Sequence, residues 1–129
     1  MKTNLRMADV MTREVHSIGI SQPLTIAHEL MRKHHVRHLP VVDHGKLVGV
    51  VTQRDLYFLE SLDGLELAET NVEEAMSQDV YKVGPSDRVH DVAKVMSAKH
   101  YGCAVVMDGR KVAGIFTTVD ALNALARLS

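Results

Sequence analysis

A threonine and an aspartate suited to hold a ligand occur twice in the chain with the same spacing. Thr52 and Asp55 lie in GVVTQRD, and Thr117 and Asp120 lie in GIFTTVD. Such a pair can form a capping box, in which each side chain bonds the other residue's backbone N–H at the start of a helix. The same helix start can hold an anion on its free N–H groups, and a carboxylate can accept hydrogen bonds from ribose hydroxyls. The motif is therefore compatible with both a helix cap and a nucleotide site.

The two motifs belong to a longer internal repeat. Residues 7–55 align with residues 72–120 without a gap, and many positions that differ exchange one apolar residue for another. Self-similarity at a fixed offset indicates a tandem duplication. Both copies keep the aspartate, although a cap alone would tolerate Glu, Gln or Ser, so we favour a ligand role. Gly49 and Gly114, three residues before each threonine, allow close approach of the backbone.

Each copy predicts the same order of elements, β-α-β-β-α. Ser21 is the expected N-cap of a helix with Pro23 in its first turn. HLPVVD and KLVGVVT are predicted strands joined by a turn at residues 43–45, and Thr52 opens the last helix, which carries Leu56, Leu59 and Leu62. The second copy repeats this plan, with Ser86 as the N-cap. Because one copy is too small to be stable alone, we expect an α+β fold in which the two copies pack sheet against sheet about an approximate two-fold axis.

Composition and charge argue against several classes of protein. The net charge of -1 and the aromatic fraction of 4% give no reason to expect nucleic-acid binding. The single cysteine, Cys103, cannot form an internal disulfide, and the chain shows neither a signal-peptide pattern nor an apolar stretch of membrane-spanning length. A cytoplasmic protein without a membrane association is the resulting expectation.

Catalytic and metal-binding patterns are not predicted. The eight histidines lack a cysteine or a paired acid at ligand spacing, so we expect no metal site. The chain has no P-loop motif and no nucleophile–base pair, so we expect neither an enzyme nor a required cofactor. The methionines at matching repeat positions are interpreted as core or dimer-interface packing.

The repeated HLPVVD segment, the hairpin and the G-x-x-T-x-x-D motif together resemble the CBS domain, named for cystathionine β-synthase. Two such domains in tandem resemble a CBS pair, or Bateman module. The resemblance covers residues 7–62 and 72–128, and residues 64–70 have the character of a linker. It implies a regulatory module that binds an adenine nucleotide such as AMP, ADP or ATP in the cleft between the repeats. Binding would signal to an unknown protein partner through a conformational change, and the module would form a homodimer.

By this resemblance, the threonine hydroxyl of each motif contacts phosphate and the aspartate holds the ribose hydroxyls. The first site then contains Thr52 and Asp55, and the second contains Thr117, Asp120 and the adjacent Thr118. Two alternatives remain open. In the first, the ligand is NAD or S-adenosylmethionine. In the second, the chain is a structural interaction module with degenerate pockets that uses the motifs only as caps.

Basic residues distinguish the two sites. The resemblance implies phosphate contacts for Arg37 and His38, and Arg54 lies inside the first motif. The second copy has Gly102, Cys103 and Val119 at these positions. We therefore expect the first site to favour phosphate more strongly and the second to prefer a neutral ligand or to be empty.

Further residues complete the two expected sites. The resemblance places Pro40 and Val105 in the adenine pockets, and Cys103 belongs to the second site as a small strand residue. The remaining candidates precede the first helix of each copy and are expected to flank the ligand: His16, Ser17, Tyr81 and Lys82.

Overall fold

The chain forms two compact units whose boundaries differ from those of the sequence repeat. The structure is a computed structural model that describes residues 4–128, with side chains to residue 127. One unit, here called the central unit, comprises His16–Val80. The other, the terminal unit, comprises Met1–Val15 together with Tyr81–Ser129. The first residues of each sequence copy thus belong to the unit that contains the sheet of the other copy.

The elements follow the predicted α+β order in both copies. In chain order they are α1 (Met7–Val10), β1 (Ile18–Gly19), α2 (Leu24–His34), β2 (His38–Asp43), β3 (Lys46–Thr52), α3 (Gln53–Glu60), two 3-10 turns (Leu67–Glu69 and Val72–Glu74), β4 (Lys82–Val83), α4 (Val89–Lys99), β5 (Cys103–Asp108), β6 (Lys111–Thr117) and α5 (Thr118–Leu128). Among residues 4–128, no helix is both long enough and apolar enough to cross a membrane. Leu62, which we expected on the helix after Thr52, lies beyond the end of α3.

Each unit contains one three-stranded sheet, and the two sheets have the same topology. In the central unit β1 runs parallel to β2, which pairs antiparallel with β3. In the terminal unit β4, β5 and β6 repeat this order. The first residue of each hairpin lies opposite its last, as His38 does with Thr52 and Cys103 with Thr117. This register brings the start of the hairpin next to the T-x-x-D motif.

The first long helix of each copy begins later than predicted. Helix α2 starts at Leu24 and α4 at Val89, and neither has a side-chain cap. Ser21 lies instead in a turn closed by a hydrogen bond from the Gln22 N–H to the Gly19 carbonyl. The prediction of Ser21 and Ser86 as N-caps was therefore wrong. A backbone carbonyl satisfies the first helical N–H instead: Leu24 donates to Thr70 at 2.9 Å, and Val89 to Leu5 at 2.9 Å.

Residues 64–70 are part of the central unit and not a free linker. They include the 3-10 turn Leu67–Glu69, and Leu67 packs on the core of this unit. Thr70 is buried, and its hydroxyl donates to the Glu66 carbonyl at 2.8 Å. Because Thr70 also accepts from the start of α2, this segment anchors the helix.

Two glycines allow a neighbouring segment to cross each hairpin. A Cβ atom at Gly49 would lie 2.7 Å from the Met76 sulfur and 2.8 Å from the Ser77 carbonyl oxygen. At Gly114 the corresponding distances, to Met11 and Thr12, are 2.7 and 2.9 Å. Real Cβ atoms do not approach so closely. The predicted close backbone approach is confirmed, and the structure shows that the approaching group is the protein's own chain.

Each unit has its own apolar core. Leu39, Val51 and Leu56 are fully buried in the central unit, and Phe116 and Met7 in the terminal unit. The repeat-matched methionines Met11, Met31 and Met96 are buried in these cores, and Met76 packs against the central one. Their interpretation as packing residues is confirmed.

Candidate functional site

In the central unit, Thr52 and Asp55 form a complete capping box at the start of α3. The Thr52 N–H donates to Asp55 Oδ2 at 2.9 Å, and the Asp55 N–H donates to Thr52 Oγ1 at 3.1 Å. The second carboxylate oxygen, Oδ1, makes no hydrogen bond within the described residues. One oxygen of Asp55 therefore serves the helix while the other remains available to a ligand hydroxyl.

In the terminal unit the same box carries an additional bond. Asp120 Oδ2 accepts from the Thr117 N–H at 2.9 Å, and the Asp120 N–H donates to Thr117 Oγ1 at 3.3 Å. The other oxygen, Oδ1, accepts from the Thr12 hydroxyl at 2.8 Å. Both oxygens of Asp120 are therefore bonded within the protein, unlike those of Asp55.

Thr12 is a site residue that sequence reasoning missed. It is held beside β6 by reciprocal backbone hydrogen bonds with Ile115, at 2.8 and 2.9 Å. The repeat contains a signal for it, since the residue aligned with Thr12 is Ser77, which makes the same backbone contacts with Val50. The signal was hidden because Thr12 lies in the first sequence copy and Asp120, to which its hydroxyl donates, lies in the second.

Arg37 and His38 lie at the start of β2, next to α3. The Arg37 carbonyl accepts from the Gln53 N–H at 2.9 Å, so Arg37 adjoins the first turn of α3. Partial burial lowers the pKa of His38, the neighbouring Arg37 charge lowers it further, and Asp55 opposes both effects. The structure thus brings Arg37, His38 and Asp55 together electrostatically, and Arg54 lies within the same helical turn.

The corresponding positions of the terminal unit carry no positive charge. Gly102 and Cys103 replace the arginine and histidine, and the Gly102 carbonyl accepts from the Thr118 N–H at 3.3 Å. Burial raises the pKa of the Cys103 thiol to about 11. The thiol is therefore protonated at neutral pH and adds no charge to this site.

The flanking residues lie at equivalent places in the two sheets. Lys82 pairs with Val105, and the Val105 N–H donates to the Tyr81 carbonyl at 2.9 Å. Pro40, which replaces Val105 in the central unit, has no N–H to donate. Ser17 directly precedes β1, and the ring of His16 stacks on His34 with the ring centroids 3.5 Å apart.

The described residues contain no group of three or more His, Cys, Asp or Glu side chains arranged to hold a metal ion. The histidines are spread over several elements and make separate pair contacts. His28, for example, lies 3.3 Å from a Glu60 oxygen. The chemistry of both T-x-x-D sites is therefore that of hydroxyls, carboxylates and, in the central unit, basic side chains.

Two matching α+β units, each with a hydroxyl–carboxylate helix start, define a tandem-repeat protein built around one motif per copy. The CBS domain family model matches residues 7–60 and 72–127. The chain therefore belongs to the CBS domain family, whose paired domains are ligand-binding regulatory modules. The family resemblance and the α+β fold inferred from the sequence are both confirmed.

Relatives of known sequence or structure agree with this assignment. The uncharacterized protein MJ1232 of Methanocaldococcus jannaschii is 30% identical over 124 residues, which are 95% of this chain and 40% of that protein. The Vibrio cholerae protein named AcuB, for acetoin utilization, superposes with a TM-score of 0.85 at 33% identity, covering 96% of this chain and 92% of that one.

A second solved structure carries ligands. It is the CBS domain pair of protein MJ0100 in complex with 5'-methylthioadenosine and S-adenosyl-L-methionine. Its TM-score is 0.85 at 27% identity, over 97% of this chain and 98% of that one. Some curated relatives are enzymes, but this chain spans only 13% to 23% of their length. In those proteins the CBS pair is an accessory part.

Proposed function

We propose that this chain is a non-catalytic sensor that binds an adenosyl ligand at its T-x-x-D helix starts. The main support for the proposal is that the two oxygens of the Asp55 carboxylate differ in their hydrogen bonding. Oδ2 completes the capping box, and Oδ1 has no bond within the described residues. A ribose diol needs such an acceptor. The MJ0100 pair, which binds two adenosyl compounds, supports this ligand class.

The charge around the central motif favours an adenine nucleotide with phosphate groups, such as AMP, ADP or ATP. Arg37 and Arg54 are exposed, and neither guanidinium forms an ion pair within the described residues. Free guanidinium groups bind phosphate through charge-assisted hydrogen bonds. The start of α3 adds backbone N–H groups and the positive end of the helix dipole.

The terminal motif is suited to a ligand without phosphate. Gly102, Cys103 and Val119 supply no charge, and Thr12 already binds Asp120. A ligand that used Asp120 would have to replace or share the bond from Thr12. We therefore expect the terminal motif to bind more weakly than the central one, and to prefer an uncharged or cationic adenosyl compound.

We propose that the functional form is a cytoplasmic homodimer that transmits ligand binding to a protein partner. Its support is the apolar surface that both units expose. Phe58 is 64% exposed near α3, and Leu122 and Leu125 on α5 are 60% and 61% exposed. Large apolar side chains in neighbouring positions are typical of interaction surfaces. A second copy of the chain can cover such side chains, and a partner would respond to a ligand-induced change in the exposed surface.

Calorimetric titration tests the ligand proposal. We expect AMP, ADP or ATP to bind the native protein below millimolar concentration, with S-adenosylmethionine, 5'-methylthioadenosine and NAD as comparison ligands. Asp55→Ala should abolish the tighter binding event, and the matched Asp120→Ala should leave it intact. If no adenosyl compound binds below millimolar concentration, the chain is an interaction module whose motifs serve only as caps.

A further inference from the structure

The central unit contains a pocket of about 410 Å³ between the C-terminal half of α2 and the outer face of α3. Every charged residue that lines it is basic, and the remaining lining residues are apolar or uncharged. The eight lining residues, here called the basic pocket, are His28, Met31, Arg32, His35, Val36, Arg37, Gln53 and Tyr57. We propose that the basic pocket, which shares Arg37 and Gln53 with the neighbouring T-x-x-D site, extends beyond that site through Arg32 and His35 as a binding site for an anion of the phosphate class.

The helical period of α2 creates one wall of the basic pocket. His28, Arg32 and His35 are spaced by four and three residues and therefore lie on one face. Met31, 3% exposed, forms the apolar floor between them. His35 ends the helix in the left-handed conformation, with φ 55°. That backbone turn brings the following residues, up to Arg37, back along the pocket.

The first turns of α3 form the opposite wall. Gln53 is held by its N–H bond to the Arg37 carbonyl. Tyr57 follows four residues later on the same face, and its ring centroid lies 6.3 Å from that of His28. The pocket is therefore closed on two sides by elements of fixed position, with hydrogen-bonding groups on both.

The arginines of the basic pocket have no anionic partner. Neither Arg32 nor Arg37 makes a side-chain hydrogen bond or ion pair within the described residues, and no acid lines the pocket. The carboxylate that does pair with a lining residue, Glu60, contacts His28 at 3.3 Å. Both guanidinium groups are permanently charged and line the same pocket. A doubly charged anion with several acceptor oxygens would satisfy both.

The second copy shows that the fold does not require these charges. Its helices α4 and α5 correspond to α2 and α3 at the repeat offset, with only Met96 and His100 unchanged among the pocket residues. At the other six positions the second copy has Ala93, Ser97, Tyr101, Gly102, Thr118 and Leu122. Both helices of the second copy thus form without the two arginines, so the fold does not require Arg32 and Arg37.

Titration with inorganic pyrophosphate at constant ionic strength tests the proposal. We expect the native protein to bind pyrophosphate, and Arg32→Ser, which introduces the residue of the second copy, to weaken binding by about tenfold or more. His35→Ala should weaken it too, whereas the matched His100→Ala should not. Arg32 is exposed, so the melting temperature of Arg32→Ser should match that of the native protein.

Titrations of Arg32→Ser with ATP and AMP distinguish a free anion from the phosphate groups of a bound nucleotide. If Arg32→Ser weakens ATP but leaves AMP unchanged, the pocket receives the outer phosphates of a nucleotide bound nearby. If it weakens pyrophosphate alone, the pocket serves a free anion, and either result supports the site. Asp55→Asn removes a nearby negative charge and should not weaken pyrophosphate binding, although it should weaken adenosyl binding, so failure of the adenosyl site can be distinguished from failure of the basic pocket. The proposal is overturned if pyrophosphate does not bind, or binds Arg32→Ser as tightly as the native protein.

Discussion

At the scale of single residues, the two aspartates of the repeat differ in how many of their carboxylate oxygens are hydrogen-bonded within the protein. Asp55 bonds the protein through one carboxylate oxygen, and Asp120 bonds it through both. The difference depends on one hydroxyl group, because Thr12 donates to Asp120 whereas its counterpart Ser77 accepts from the Asp79 N–H. Only in the central unit, therefore, does one carboxylate both cap a helix and keep an oxygen available to accept from a ligand.

The hydrogen bond from Thr12 to Asp120 should contribute measurably to the stability of the protein. Thr12→Val removes the hydroxyl but keeps the shape, and we expect the free energy of unfolding to fall by about 1 kcal/mol. Ser77→Ala should cost less, because the Ser77 hydroxyl makes no hydrogen bond to Asp55 within the described residues. Urea unfolding of the two variants checks this order. Equal losses would show that the Thr12 bond has no special stabilising role.

The lowered pKa of His38 should make the stability of the protein decrease at acidic pH. The folded state favours neutral His38, so its contribution to stability is complete above about 6.5, the ordinary histidine pKa. As the pH falls below that value, the unfolded state takes up the proton first and stability decreases. His38→Gln should flatten this part of the stability profile, measured by urea unfolding between pH 7.5 and about 5. An unchanged slope would contradict the burial of His38.

At the scale of elements, sequence patterns identified the hairpins and the helix that Thr52 opens, but not the starts of α2 and α4. Both β-β pairs were predicted because apolar runs flank turn residues at 43–45 and 108–109. In the structure His44 and Gly109 adopt positive φ in these turns. Ser21 has the correct residue type for an N-cap, but a local turn uses its position and a distant carbonyl replaces it. The backbone hydrogen bond from the Leu24 N–H to the Thr70 carbonyl takes the place of the expected side-chain cap.

The crossing of each hairpin by a neighbouring segment should make the hairpin glycines intolerant of a side chain. Gly114→Ala would place a methyl group against the Met11 sulfur and the Thr12 carbonyl, so we expect a loss of about 1–3 kcal/mol of stability. Gly49→Ala should behave alike. Gly84→Ala is the control, since its nearest neighbouring atom lies at 3.7 Å. Thermal unfolding that ranks Gly84→Ala with the other two would refute the crossing.

At the scale of the whole molecule, the duplication was visible in the sequence but its division into units was not. A gapless repeat shows which residues are equivalent, but it does not show on which of the two cores each copy of a segment packs. Residues 7–15 and 72–80 are similar in type, so hydrophobic pattern alone cannot assign them. For the same reason Thr12 could not be connected to Asp120. The motif residues themselves were found because their type and spacing recur.

The exposed apolar surface of α5 should determine the oligomeric state. Leu122→Arg places a charge on the face that we propose to be covered in the homodimer, so the variant should be a monomer by light scattering. Asn123→Arg adds the same charge at the adjacent exposed position and should remain dimeric. A native protein that is monomeric, or a Leu122→Arg variant that is dimeric, would remove this surface from the interface.

The most direct test of ligand binding at Asp55 separates its two oxygens. Asp55→Asn keeps one acceptor oxygen for the Thr52 N–H and replaces the other with an amide that cannot accept from a ribose. Without ligand we expect the variant to lose no more than about 1 kcal/mol of stability, the size of a helix-dipole contribution. Its affinity for the best adenine nucleotide, measured by calorimetry, should fall by about tenfold or more. Unchanged nucleotide affinity in a stable Asp55→Asn protein would show that Asp55 is a helix cap and nothing further.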